Sequence, residues 1–590
     1  MASRFFATIS VVSVLAVAAC SGESPGALVD ASADDSASGS GADSDSERRT
    51  PPHSESWLED ATDDWNVHFT HRAGSSGDLV FPEMMGGGIA VFDANNDGAL
   101  DLYFVSGAPN LGRGTSPIVN RLFLQGRDGR YVDATEASGL GDSGYGTGVA
   151  IADMNNDGFQ DVFVSNFGPD RLYRGRGDGT FEDVTQRSGI TATGTAPDDW
   201  SSSAVFCDVD RDGYLDLYVV RYVVFDPGVE CTDSAGRREY CGPDSFEDRT
   251  DVLLKNQGDG TFEDISSEAG IDDITGAGLG VVCEDVNDDG WVDIYVANDG
   301  DPNQLWMNQG DGTFIDDALI MGASVNAAGL DEAGMGVVAA DFDNDADLDL
   351  FVTHLRDETN TFYRNLGGDL GFEDQSARVG LAAASTPYTG FGAVPVDLDL
   401  DGDLDLVIAN GRVLRGPPLT DKLPGPWNSY AEPNLVFAND AGKFRLLENE
   451  ASSFVDRTEV SRALATGDLD GDGDLDLIVS SIESRARLYR GTPPAGHWLL
   501  VDAVDPRLER RALGARVTLI SGNGDRRRQV RSIQSAMSYL SSSDPRAHFG
   551  LGADDSAVSI RIRWPDGLEE TWRDLSVDQA LVLRRGDGSP

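Results

Sequence analysis

Asp153-Met154-Asn155-Asn156-Asp157-Gly158-Phe159-Gln160-Asp161 leads straight into the apolar run Val162-Phe163-Val164, and this stretch decides the fold. Its pattern, D-x-[DN]-x-D-G-x-x-D, occurs six times in 590 residues, and a seventh copy differs only at the Gly. The side chains at positions 1, 3, 5 and 9 are Asp93, Asn95, Asp97 and Asp101 in the first copy, and Asp153, Asn155, Asp157 and Asp161 in the second. The third has Asp208, Asp210, Asp212 and Asp216, and the fourth Asp285, Asn287, Asp289 and Asp293. The fifth has Asp341, Asp343, Asp345 and Asp349, the sixth Asp397, Asp399, Asp401 and Asp405, and the seventh Asp468, Asp470, Asp472 and Asp476. Alternate oxygens converging around a tight turn suit a hard cation, and Ca²⁺ above all. An EF-hand is excluded, because it needs a Glu at position 12 and flanking helices. Here position 12 is apolar (Phe104, Val164, Val219, Val296) and the flanks read as strands. Up to seven structural Ca²⁺ ions are therefore expected. In the fifth copy Ala346 stands at the turn Gly, where positive φ is costly, so that site is expected to be the weakest.

Working outward, each loop lies between two strand-like runs, such as GTGVAIA before Asp153 and VFVSN after it. A second signature follows in each unit. It reads LYRGRGDGTFEDVT at 172–185, LLKNQGDGTFEDIS at 253–266 and LWMNQGDGTFIDDA at 305–318. Gly-Asp-Gly between two apolar runs signals a tight hairpin. One unit thus supplies four antiparallel strands, which describes a propeller blade. The strand after the hairpin starts at Tyr131, Phe181, Phe262, Phe314, Phe372 and Phe444. A seventh version, SWLEDAT at 56–62, stands alone at the front, and RLYRG at 487–491 lacks its partner at the back. Pairing those two completes a ring without an exposed edge. The fold class expected is all-β, a seven-bladed β-propeller over 56–491, followed by a small all-β C-terminal domain over 497–586.

Acidic residues outnumber basic ones 101 to 45, and the net charge of −56 excludes nucleic acid as a partner. Residues 1–19 read as a signal peptide, with an apolar run too short to span a bilayer as a mature helix. Residues 20–55, rich in Ser, Ala, Gly and Asp, read as a disordered tether. Cys231 and Cys241 bracket nine residues within the longest insertion, and a disulfide is expected there in an exported protein. Cys207 and Cys283, each just before an Asp loop, fit two buried thiols as well as a bridge. Gly141-Asp142-Ser143-Gly144 and the two Arg-Gly-Asp tripeptides (176–178, 585–587) read as chance strings in turns. The Arg-rich GDRRRQVR at 524–531 is expected to be an exposed strand or turn balancing an acidic protein.

The small residues of Val17-Ala18-Ala19 before Cys20 resemble a bacterial lipobox, which implies cleavage before Cys20 and its lipidation. The repeats resemble FG-GAP/VCBS repeats, the blades of integrin α-subunit propellers. FPEMMGGGIAVFDANNDGALDLYFV and the insertion YCGPDSFEDRTDVLLKNQGDGTF are similar to the cartilage acidic protein group. ALGARVTLISGNGDRRRQVRSIQSAMSYLSSSDPRAHFGLG and IRWPDGLEETW resemble the ASPIC/UnbV domain. The resemblances imply an exported, lipid-anchored, calcium-binding module of the cell envelope. Its expected partners are a protein or glycan ligand and, through Cys20, the membrane. No catalytic residue stands out, so no enzyme is expected. The competing reading is a polysaccharide lyase or glycosidase using acids of the propeller channel.

Overall fold

A computed structural model describes residues 56–75, 77–112, 120–190, 199–522, 527–556 and 558–590. The leader, the tether and Cys20 lie outside the described residues. Ser54–Pro590 forms one compact unit.

Seven four-stranded antiparallel sheets account for residues 58–491. In the second sheet the strands are Tyr145–Ala152, Asp161–Phe167, Arg171–Gly175 and Phe181–Asp183, paired in chain order. The Asp-rich loop joins the first strand to the second, and the Gly-rich hairpin joins the third to the fourth. The strands expected after the hairpins begin at Tyr131, Phe181, Phe262, Phe314, Phe372 and Phe444. The first strands are rich in small residues and buried apart from Pro395, because they crowd the axis. They run Ile89–Phe92, Tyr145–Ala152, Ser201–Cys207, Gly278–Glu284, Val337–Ala340, Gly390–Val396 and Ser461–Gly467. Each packs on the next, and Ser461–Gly467 packs back on Ile89–Phe92, so the contacts form a cycle as in a propeller. The cycle is closed by mixed strands: Leu58–Asp60 pairs antiparallel with Arg487–Gly491, with Leu58 opposite Gly491.

Cys207 and Cys283 form a disulfide, with Cα atoms 6.5 Å apart, joining the third and fourth sheets beside their loops. Cys231 and Cys241 form a second. The sequence left the first pair open because their proximity arises only when two blades are set side by side.

The C-terminal part is a sandwich of two sheets around Leu499, Val517, Phe549, Ile560 and Trp564. It does not stand apart from the ring. Between its strands Arg527–Ser532 and Ala547–Gly552, residues 533–546 enter the axial channel. There they supply partners to inner-strand backbone groups that would otherwise lack them. Ser538 exchanges two backbone hydrogen bonds with Val337 (3.1 and 2.8 Å), and Ser542 exchanges two with Ile89 and Val91 (both 2.9 Å). The Val149 N–H donates to the Leu540 carbonyl (3.1 Å). Gly88 makes room for that carbonyl, since a Cβ there would lie 1.9 Å from the oxygen. The hydroxyls of Ser538 and Ser543 accept from Ala393 and Thr466 N–H. The fully buried Tyr539 ring packs edge-on against Phe391 and donates its hydroxyl to the Met85 carbonyl (3.1 Å). Beyond it, Phe81, Tyr145, Phe167, Trp200, Tyr222 and Phe225 continue the same apolar cluster.

The far side is capped by insertions, where Tyr240 stacks on Trp427 and meets Tyr430 edge-on. Arg462 is fully buried between these layers. Its guanidinium donates to the carbonyls of Met84, Gly411, Ser461 and Arg412 and lies 3.8 Å from the centre of the Phe391 ring. Truncating the plug should therefore be costly. Tyr539→Ala is expected to lose about 3–5 kcal/mol of unfolding free energy in urea titrations. Tyr539→Phe, which gives up one hydrogen bond, should lose about 1 kcal/mol.

Candidate metal centres

Every nine-residue loop is a turn wrapped around its first Asp. Asp153 Oδ1 accepts the N–H of Asp157 (3.1 Å) and Oδ2 that of Gly158 (2.7 Å). The same two bonds recur at Asp93, Asp208 and Asp285. Position 6 lies at φ 85–96° where it is Gly, and Ala346 takes φ 83°. The fifth loop thus keeps the shared turn and carries the strain of a Cβ there. Position 4 is also left-handed, with φ 57–60° at Asn96, Asn156, Arg211, Asp288, Asn344 and Leu400. The sequence pattern leaves that position unmarked because residues as unlike as Asn, Arg and Leu occupy it.

The ninth Asp does a different task from the others. In all seven loops its two oxygens take one N–H from position 2 and one from the end of the third strand. For Asp161 these come from Met154 (3.0 Å) and Gly175 (2.8 Å), for Asp216 from Val209 and Asn256, and for Asp405 from Leu398 and Asn439. Asp101, Asp293, Asp349 and Asp476 repeat the arrangement. The ninth Asp therefore ties the loop to its own sheet.

A second tie runs between sheets and was missed in the sequence. Asn256, Asn308, Asn365 and Asn439 end the third strands of consecutive sheets. Each donates its amide to the position-2 carbonyl of the preceding loop: Met154, Val209, Val286 and Phe342. Gln125 does the same to Leu469 across the closure (2.6 Å). The recurring Asn in LLKN, LWMN, FYRN and VFAN was the available signal.

In three loops the carboxylates expected at positions 1, 3 and 5 converge. One oxygen from each of Asp208, Asp210 and Asp212 lies within 4.8 Å of the others, and likewise for Asp341, Asp343 and Asp345 and for Asp397, Asp399 and Asp401. In the seventh loop the convergent set is Asp468, Asp470 and Asp476. The first, second and fourth loops carry an amide at position 3 (Asn95, Asn155, Asn287) and so have one carboxylate fewer. Burial makes charge expensive here. It pushes Asp101 up to about 7, and Asp216 and Asp293 up to about 8. Asp397 rises to about 8 for the same reason. Three buried carboxylate oxygens, Oδ1 of Asp341, Asp343 and Asp397, have no hydrogen-bond partner. Unpaired buried acceptors facing like charges fit a hard divalent cation, which would supply the missing positive charge.

The sandwich covers this loop face with arginines. Arg510 donates to Asn156 Oδ1 (2.7 Å) and to the Gly213 carbonyl. Arg527 binds the Asp401 carbonyl and Asp403, and Arg531 the Gly402 carbonyl (3.2 Å). Arg563 pairs with Asp285 (2.8 Å). Arg531 is buried, which corrects the exposed strand expected for this Arg-rich stretch: its counter-charges lie on loops more than a hundred residues upstream.

The FG-GAP-like repeat family matches residues 93–164, 153–219, 285–352 and 341–408, and the ASPIC and UnbV family matches residues 505–590. Cartilage acidic protein 1 of Mus musculus is 28% identical over 510 residues, covering 82% of this chain and 71% of that protein. The Homo sapiens protein of that name is 27% identical over 524 residues, covering 82% and 70%. Among solved structures, an Agrocybe aegerita lectin described for recognition of non-reducing terminal N-acetylglucosamine aligns with a TM-score of 0.36 and 16% identity, over 68% of this chain and 86% of the lectin. Rhamnogalacturonan lyase YesW aligns with a TM-score of 0.36 and 15% identity, over 69% and 72%. Likeness at that distance carries nothing about function.

Replacing the strained Ala346 tests the loop geometry. Ala346→Gly is expected to gain about 1 kcal/mol, read as a higher unfolding midpoint with calcium chelated.

Proposed function

Because the chain belongs to the FG-GAP-repeat proteins that end in an ASPIC/UnbV domain, we propose that it is a calcium-stabilised, non-enzymatic binding or scaffold module of the cell envelope. The observation that carries the non-enzymatic part is the filled axis. Residues 533–546 enter from one side, and the Tyr240–Trp427–Tyr430 cap closes the other. Channel acids are then not available to a polysaccharide chain, and the loop acids are held in tight turns by backbone donors. The outer rims and the capping insertions remain as binding surface.

Calcium binding at the loops is supported by the convergent carboxylates and their unpartnered oxygens. When bound, the ion supplies positive charge at positions 1, 3 and 5. The chain's own part is to hold those oxygens, through the N–H groups around the first Asp and the ties made by the ninth. Excess chelator is expected to lower the thermal midpoint by on the order of 10 °C, and readdition of Ca²⁺ to restore it. An unchanged midpoint sinks the calcium reading.

Incubating the purified protein with a panel of polysaccharides separates module from enzyme. Saturable binding without products is expected, and shortened chains would replace this proposal with the lyase or glycosidase reading. The resemblance of the Val17-Ala18-Ala19-Cys20 segment to a lipobox supports envelope anchoring. Cys20→Ala in the full precursor is expected to move the protein from the membrane fraction to the soluble fraction, followed by immunoblot.

A further inference from the structure

The fourth loop, 285–293, matches the repeat pattern without a departure, yet among the described residues its first Asp is the one first-position Asp that is ion-paired to an arginine. Its first residue, Asp285, is buried and already accepts Asp289 and Gly290 N–H on its two oxygens (3.1 and 3.0 Å). Arg563 then donates Nη2 to Asp285 Oδ2 at 2.8 Å, while its Nη1 lies 2.6 Å from Asp288 Oδ1. Arg516 bonds the same Asp288 oxygen (3.1 Å) and the Asp285 carbonyl (2.7 Å). A third guanidinium, Arg211, lies over the Trp291 ring at 4.1 Å, next to Gly290. The position-3 side chain is turned inward on itself. Asn287 accepts Asp289 N–H on its oxygen and donates its amide to Asp289 Oδ2 (3.0 Å).

Other loops have basic neighbours too, but differently placed. Arg174, Lys255, Arg364 and Arg490 reach from the third strands to positions 3 and 5 and leave the first Asp alone. In the fourth sheet that strand position is Met307. The positive charge comes instead from the sandwich, and it lies on the central ligand.

We propose that the fourth loop holds no cation, and that Arg563, supported by Arg516, takes the cation's place and latches the C-terminal sandwich to the propeller. Arg563 already occupies Oδ2 of Asp285, an oxygen that a cation would need; Arg510, Arg531 and Arg546 lie near the first Asp of other loops, but among the described residues none of those Asp side chains is ion-paired to an arginine. The negative charge of Asp285 and Asp288 is met by Arg563 and Arg516. The latch keeps the sandwich on the ring when the metal loops are emptied.

This rests on calcium occupying the other loops, and the test separates the two. Bound calcium per chain is counted by plasma mass spectrometry on the full protein, for the wild type, Asp285→Asn, and the controls Asp468→Asn and Asp212→Asn. Each control is expected to lose one ion and Asp285→Asn none; loss of an ion in Asp285→Asn overturns the proposal. Thermal midpoints in excess chelator are then compared for Arg563→Gln, Asp285→Asn and the double variant. The double variant is expected to fall no further than the lower single, whereas additive losses overturn the latch. A protein that binds no calcium in any form defeats the calcium reading, and the chelator cycle still decides the latch.

Discussion

A carboxylate buried in a tight turn must face something positive, and the architecture of this chain follows from how that demand is met. Four of the loops gather three Asp side chains within a few ångströms, and burial pushes Asp216, Asp293 and Asp397 up to about 8. Backbone N–H groups satisfy part of the demand. The first Asp gathers them from its own turn, and the ninth takes them from its own turn and its own third strand. The Asn amides at the strand ends then fasten each loop to its neighbour. Loop, blade and ring are held by one continuous set of polar bonds. An isolated blade would lack the amide that its neighbour donates to the position-2 carbonyl of its loop.

The local period was legible because it encodes local geometry. Seven Asp loops, the Gly-Asp-Gly hairpins and the aromatic that follows them each fix a turn or a strand start. The stray SWLEDAT strand was legible as the missing partner of RLYRG, since strand composition repeats from unit to unit. What escaped the reading joins residues far apart in the chain. Ser538, Tyr539 and Ser542 look like a polar loop, and their task appears only where inner strands leave N–H and C=O groups turned toward the axis. Arg531 looks like a surface charge until Gly402 is beside it. Cys207 and Cys283 fit two buried thiols as well as a bridge until two blades bring their Cα atoms to 6.5 Å.

The pattern also ranks the loops differently from their surroundings. Ala346 marks the fifth loop as the departure, yet the backbone there takes the same φ as the glycines, and its Asp side chains converge with two unpartnered oxygens. The fourth loop keeps every pattern residue and meets three guanidiniums instead. A nine-residue signature specifies the shape of the turn. It does not specify which positive charge will enter it.

Binding at the loops and docking of the sandwich share residues, so neither can be strengthened without affecting the other. Asp397, the first residue of the sixth loop, accepts the sandwich's Gly550 N–H (3.1 Å) on one oxygen while the other lies unpaired. Leu400 and Gly402 of that loop give their carbonyls to Gly552 and Arg531. A cation that draws Asp397, Asp399 and Asp401 together also fixes the surface on which those donors land. By linkage, a docked sandwich must raise the loop's affinity by the same factor that a filled loop raises docking. A C-terminal part built this way is a component of the ring's stability as well as a cover for its face.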